Sequence, residues 1–187
     1  MNGLGFPEDL YAWNEGGSGG ALDLDDYAMD GDVGYYPDWV NNTRAYLGTV
    51  NPTTGRGNAH PAVNVIVWSW CGQVSWLSEQ EIIDEYLNPM NALESEYWGV
   101  KFVYMTSHLD GSGVAGNLNQ RNEQIRAYCL AHDKVLYDFA DIESYDPDGL
   151  IHYMPRLADD GCYYDVDDDG YIDYTDAGNW AITWQES

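Results

Sequence analysis

Apolar and polar positions alternate along the middle of the chain in a way that sets out strands and helices in turn. Val63-Asn64-Val65-Ile66-Val67-Trp68-Ser69-Trp70 is short, rich in β-branched and aromatic side chains, and uncharged. That composition predicts a strand buried on both faces of a parallel sheet rather than an amphipathic helix. A helix-like segment over residues 79–93 follows, and then a second apolar run, Val100-Lys101-Phe102-Val103-Tyr104-Met105. Strand, helix and strand in this order form a βαβ unit with a right-handed crossover. Residues 119–132 predict another helix, with Ile125, Tyr128, Cys129 and Ala131 along one face, and residues 134–139 a third parallel strand. Upstream, residues 38–47 read as a helix begun at Asp38 or at Pro37, and residues 9–13 as extended. The expected fold is a single α/β domain over residues 1–187, a three-layer sandwich around a mostly parallel sheet.

Polar stretches separate these elements. Asn14-Glu15-Gly16-Gly17-Ser18-Gly19-Gly20 predicts a glycine loop, but it lacks the lysine and hydroxyl residue of a phosphate loop. Asp23, Asp25, Asp26, Asp30 and Asp32 match no calcium-loop spacing and are read as a solvated acidic loop. Residues 144–161 are expected to be irregular. Asn41-Asn42-Thr43 is a glycosylation sequon, meaningful only in a secreted chain.

Charge narrows the partners. Thirty-two acids stand against seven bases, a net charge of −25, so no basic patch is available for nucleic acid or for an anionic membrane. No apolar stretch reaches membrane-spanning length, so membrane insertion is not expected. Residues 1–7 lack the basic start and apolar core of a signal peptide, and the sequence is read as a mature or partial chain.

Ligands of parallel sheets bind beyond the carboxyl ends of the strands. Those ends carry Cys71-Gly72-Gln73 and Thr106-Ser107-His108-Leu109-Asp110. Cys71 with His108 is the best nucleophile–base candidate there. Cys71, Cys129 and Cys162 make an odd count: one disulfide with a free thiol, a partner outside the chain, or Cys71 paired with Cys129 are all open. His60, His132 and His152 read as ordinary surface or loop residues. Asp138 and Asp141 could orient a neighbouring group, and capping the turn after the third strand explains them as well.

The sharpest motif is Asp165-Val166-Asp167-Asp168-Asp169-Gly170-Tyr171-Ile172-Asp173-Tyr174-Thr175-Asp176. Calcium takes about six to eight oxygen ligands, drawn from alternate positions of a twelve-residue loop. Asp165, Asp167 and Asp169 fill the first, third and fifth positions, and Gly170 stands at the sixth, where the chain turns. Tyr171 offers a carbonyl at the seventh, Asp173 acts through water at the ninth, and Asp176 closes the loop. Ile172, at the eighth, is the apolar anchor. Calcium is the expected cofactor, held as a structural ion because no pair of long helices flanks the loop. An aspartate in the last position resembles the loops of dockerins and other extracellular modules.

Trp68-Ser69-Trp70-Cys71-Gly72-Gln73, Phe102-Val103-Tyr104-Met105-Thr106, Asn122-Glu123-Gln124-Ile125-Arg126 and Tyr137-Asp138-Phe139-Ala140-Asp141-Ile142-Glu143 together resemble secreted bacterial and archaeal SGNH/GDSL-type hydrolases. The resemblance implies an SGNH/flavodoxin-like fold, with Gly72 and Gln73 standing about where the family's Gly and Asn help form an oxyanion hole. The family's nucleophilic serine block and its C-terminal histidine block are not recognisable here. The expectation is therefore an extracellular or cell-surface, calcium-binding domain with a structural, assembly or binding role. Its partners would be polysaccharide or other subunits of a surface assembly. The alternative is a carbohydrate-type ester hydrolase whose serine and histidine blocks lie outside this sequence, and a dockerin-like partner module is a third reading.

Overall fold

The computed structural model describes residues 11–13, 22–26, 28–31 and 33–185. The 14–20 loop and the start of the 9–13 run lie outside the described residues. Elements follow in the order β1 (Tyr11–Trp13), β2 (Leu22–Leu24), α1 (Asp38–Leu47), β3 (Val65–Trp68), α2 (Glu79–Ile82), a π-helical turn (Ile83–Leu87) and α3 (Asn88–Glu96). Next come β4 (Lys101–Met105), α4 (Asn117–Ala131), β5 (Val135–Tyr137), α5 (Phe139–Glu143) and α6 (Trp180–Gln185).

The architecture is mixed α/β. β3, β4 and β5 form a parallel sheet in that order, with Val65 opposite Lys101 and Val103 opposite Val135. The apolar runs thus become the strands expected of them, although β3 spans only residues 65–68. β1 and β2 form a separate parallel pair in which Tyr11 lies opposite Leu22. Asp23 is therefore a strand residue, and the aspartate-rich segment is not wholly a loop.

Burial departs from expectation. Along β3 it alternates: Ile66 and Trp68 are buried, whereas Val65 and Val67 are 46% and 53% exposed. Phe102 and Tyr104 of β4 point into the same core, while Val135 and Tyr137 of β5 are exposed with the valines. Among the described residues the sheet has one covered face, not the two that a three-layer sandwich requires. The pleat explains the pattern, since successive side chains point to opposite faces.

The covered face rests on α3 and α4. Trp39 of α1 stacks on Trp68 at 3.9 Å between ring centroids, and Tyr86, Leu87, Met90 and Leu93 complete the core. Burying each such side chain contributes about 1.5–3 kcal/mol. Pro89 would interrupt an α-helix here, because it has no N–H to offer the carbonyl four residues back, Glu85. The chain widens into the π turn just before it, and the Trp39 indole N–H donates to the Glu85 carbonyl at 3.1 Å.

The Tyr86 hydroxyl ties the two strand ends together, donating to the Trp68 carbonyl at 3.0 Å and accepting from the Met105 N–H at 2.9 Å. Complete burial raises its pKa, so it stays protonated in that role. A second, smaller core gathers Leu109, Ala140, Tyr153, Met154, Ala158 and Tyr164, with Trp180 against it. It lies under the C-terminal loops.

Candidate functional site

Two centres of chemistry adjoin this second core. The first is at the carboxyl end of the sheet. Sγ of Cys71 lies 3.0 Å from Nε2 of His108. Both positions are set by backbone stitching one residue upstream: the Ser107 hydroxyl donates to the Trp70 carbonyl at 2.8 Å. Fully buried Asn122 holds Ser107 from the other side, accepting from its N–H and donating to its carbonyl, each at 3.0 Å.

The imidazole has a defined tautomer. Nδ1 lies 2.7 Å from the Leu109 carbonyl, which only accepts, so Nδ1 carries the hydrogen and Nε2 faces Cys71 with a lone pair. Leu109 is itself fixed by its N–H donating to Glu143 Oε2 at 2.8 Å. Burial holds the Glu143 carboxyl above the usual carboxylate range, against the Leu109 N–H and nearby His108, which favour its charge. Asp160 completes the surroundings, with Oδ2 3.6 Å from Nδ1 of His108. Cys71 is exposed and His108 largely covered.

The other expected residues of this end are placed as follows. Gln73 donates through Nε2 to the Gly34 carbonyl at 3.2 Å, so its amide fastens the 72–76 turn to the segment before α1. Gly72 lies beside the imidazole: a Cβ built on it would stand 3.9 Å from Nε2. All three cysteines are free thiols. The pairing of Cys71 with Cys129 does not form, because Cys129 is packed into the main core while Cys71 faces His108. Burial pushes the Cys129 thiol up to about 11. It raises that of Cys162 too, with the charges of Glu143, Asp159 and Asp160 adding to the effect.

Asp138 caps α5, accepting from the Asp141 N–H, and also takes two hydrogen bonds from Arg126 at 2.7 Å each. His60 and His152 stack on Tyr46 and Tyr145, and His132 lies tilted against Tyr128. A depression of about 430 Å³ is lined by Asn119, Arg126, Tyr145 and His152, among others. Asn119 is 8% exposed, and its Oδ1 has no hydrogen-bond partner among the described residues.

The second centre is the aspartate loop. Carboxylates of Asp165, Asp167 and Asp173 each place an oxygen within 4.8 Å of the others, an arrangement that could hold a metal ion. Asp165 is 2% exposed and organises the turn, accepting from the N–H groups of Asp168, Asp169 and Gly170 at 2.7, 3.2 and 2.8 Å. Gly170 has φ +92°, the left-handed conformation expected of the sixth loop position. Asp173 reaches back to accept from the Val166 N–H at 2.9 Å.

Three of the six expected ligands thus converge. Asp169 turns to accept the Tyr171 N–H at 3.0 Å, and Tyr171 carries an exposed ring. Asp176 opens a 3-10 turn, Asp176–Gly178, that Thr175 caps, and the short helix α6 follows it.

The two centres are mechanically joined. Ile172 packs on Gly111, three residues beyond His108. The Gly111 N–H donates to the Ala158 carbonyl at 3.1 Å, and Asp110 bridges to Asp159, next to Asp160. Sequence reasoning missed Asp160, Glu143 and Asn122 as members of the site. Compared with protein families, with curated proteins and with solved structures, the chain matches none.

Proposed function

We propose that this chain is an extracellular or cell-surface α/β domain of the SGNH type. In this reading residues 165–173 bind calcium as a structural ion, and the domain serves a structural, assembly or ligand-binding role. The convergence of Asp167 and Asp173 on buried Asp165 carries the proposal. Three carboxylates at such separations repel one another unless a cation lies between them, and oxygen-only ligands suit a hard ion such as calcium. Asp165, Asp167 and Asp173 would hold it, and the ion would lock the loop that Ile172 anchors against Gly111.

The parallel order β3-β4-β5 supports the SGNH-type reading. A net charge of −25 speaks against nucleic acid as a partner, and no helix of the described residues is long and apolar enough to cross a membrane. Polysaccharide or another subunit of a surface assembly fits the exposed rings of Trp76 and Tyr35, which offer aromatic surface for stacking on sugars. The depression beside the stacked Tyr145 and His152, which Arg126, Glu123 and Asp138 also line, supports a polar ligand too.

Calorimetric titration of calcium into chelator-treated protein tests the reading. One binding event is expected, absent from the Asp165→Asn, Asp173→Asn double variant. No heat of binding in the unaltered chain would overturn it.

A further inference from the structure

We propose that Cys71 is a nucleophilic thiol, activated by His108, that accepts the acyl group of an ester. This adds a catalytic site to the structural role above and does not rest on the calcium reading.

Geometry and chemistry carry the assignment together. A thiol becomes a strong nucleophile when a neighbouring base takes its proton. Nε2 of His108 lies 3.0 Å from Sγ and, because Nδ1–H is donated to the Leu109 carbonyl, is the nitrogen that holds the free lone pair. The imidazolium formed by proton transfer would be stabilised on its other side by the Leu109 carbonyl and by Asp160, whose carboxylate is 3.6 Å from Nδ1. Asp160 lies on the Nδ1 side, so it cannot join Sγ and Nε2 around one metal ion. That separates the arrangement from a thiolate–imidazole metal site.

Position adds to this. Cys71 is exposed at the carboxyl edge of the parallel sheet, whereas Cys129 is buried in the main core. Ser107 and Asn122, through the Trp70 carbonyl, fix the two backbone positions in the relation the proton transfer needs.

The steps balance without an oxidant. The Sγ–H proton passes to Nε2 as Sγ bonds to the acyl carbon. The ester C–O bond breaks, and the proton on Nε2 goes to the departing alkoxide, leaving a thioester on Cys71 and a free alcohol. Water then attacks the thioester and gives a proton to Nε2. The C–S bond breaks, the carboxylic acid leaves, and the proton returns to Sγ.

The test uses the full chain with calcium present, under reducing conditions, mixed with p-nitrophenyl acetate. One nitrophenolate per chain should appear in a burst, with the acetyl group found by mass spectrometry on the peptide that carries Cys71. Cys71→Ala, which removes only an exposed thiol, should abolish the burst. His108→Gln should slow it by about 100-fold or more. Asp160→Asn should slow it several-fold, with Asp160→Glu restoring the rate. A burst that survives Cys71→Ala would overturn the proposal, as would unaltered protein that acquires no acetyl group on Cys71. An equal burst rate in His108→Gln, with the thermal transition unchanged, would reduce Cys71 to an exposed thiol and overturn it as well.

Discussion

Ile172, the apolar residue of the aspartate loop, lies so close to Gly111 that a Cβ on the glycine would stand 2.5 Å from the Ile172 Cδ1. Gly111 also has φ +77°, where a side chain is strained regardless of space. The contact joins the loop of Asp165 to the loop of His108, so a change in one can reach the other through this packed pair.

Gly111→Val should therefore cost about 2–4 kcal/mol, from overpacking and a forbidden backbone angle together. Ile172→Ala should cost less, about 1–3 kcal/mol for a half-buried side chain. It should also weaken the effect of calcium on the His108 loop. Denaturant unfolding of each variant, with and without calcium, measures both. Equal calcium dependence in Ile172→Ala and the unaltered chain would show that the contact transmits nothing.

Trp39 and Pro89 make a coupled pair. Trp39→Phe removes the indole donor that serves the Glu85 carbonyl, at a cost of about 1–3 kcal/mol for the hydrogen bond besides the lost packing on Trp68. Pro89→Ala supplies a backbone N–H to the same carbonyl. In that background the cost of Trp39→Phe should fall, and a double-mutant cycle by urea unfolding reads the difference. Strict additivity would contradict the account of the π turn.

Asp138 sets part of the acid limb of stability. Burial would raise its pKa, but Arg126, Thr106 and the Asp141 N–H together hold the carboxyl below its ordinary value. A group depressed in the folded state contributes stability that is present above its unfolded pKa and lost as pH falls through the folded one. Unfolding free energy should thus decline below about pH 4 partly through Asp138. Asp138→Asn should flatten that decline and cost about 2–3 kcal/mol at neutral pH, since it leaves Arg126 paired only with the exposed Glu123. A stability–pH curve of unchanged shape would count against this role.

Much of the fold is legible in local pattern. α1 spans residues 38–47 as expected, because its apolar positions recur at helical spacing after a proline. The three sheet strands stand out through β-branched and aromatic runs. β2 does not, since Leu22-Asp23-Leu24 is too short to separate from the aspartates around it. Composition also gave no sign of which face of β3 would be covered: Val65 and Val67 are as apolar as Ile66, and only tertiary packing distinguishes them.

The candidate sites divide in the same way. Asp165, Asp167 and Asp173 follow from spacing within one loop, and Asp176, which begins the Asp176–Gly178 turn, lies outside the cluster that these three form. Cys71 and His108 were findable because both follow strands of one parallel sheet. Glu143 lies past the third strand at that same end, but its bond to Leu109 has no local signal; Asp160 was not findable, because the second core folds a distant loop back onto His108.

Thermal unfolding across a calcium titration tests the central claim most directly. At about 100 times its dissociation constant, one ion bound only to the folded state adds about 2.7 kcal/mol, or about 5–10 °C in a domain of this size. The unaltered chain should show that rise and lose it with chelator, and the Asp165→Asn, Asp173→Asn variant should show neither. A melting temperature indifferent to calcium and chelator in the unaltered chain would contradict the claim that this loop holds a structural ion.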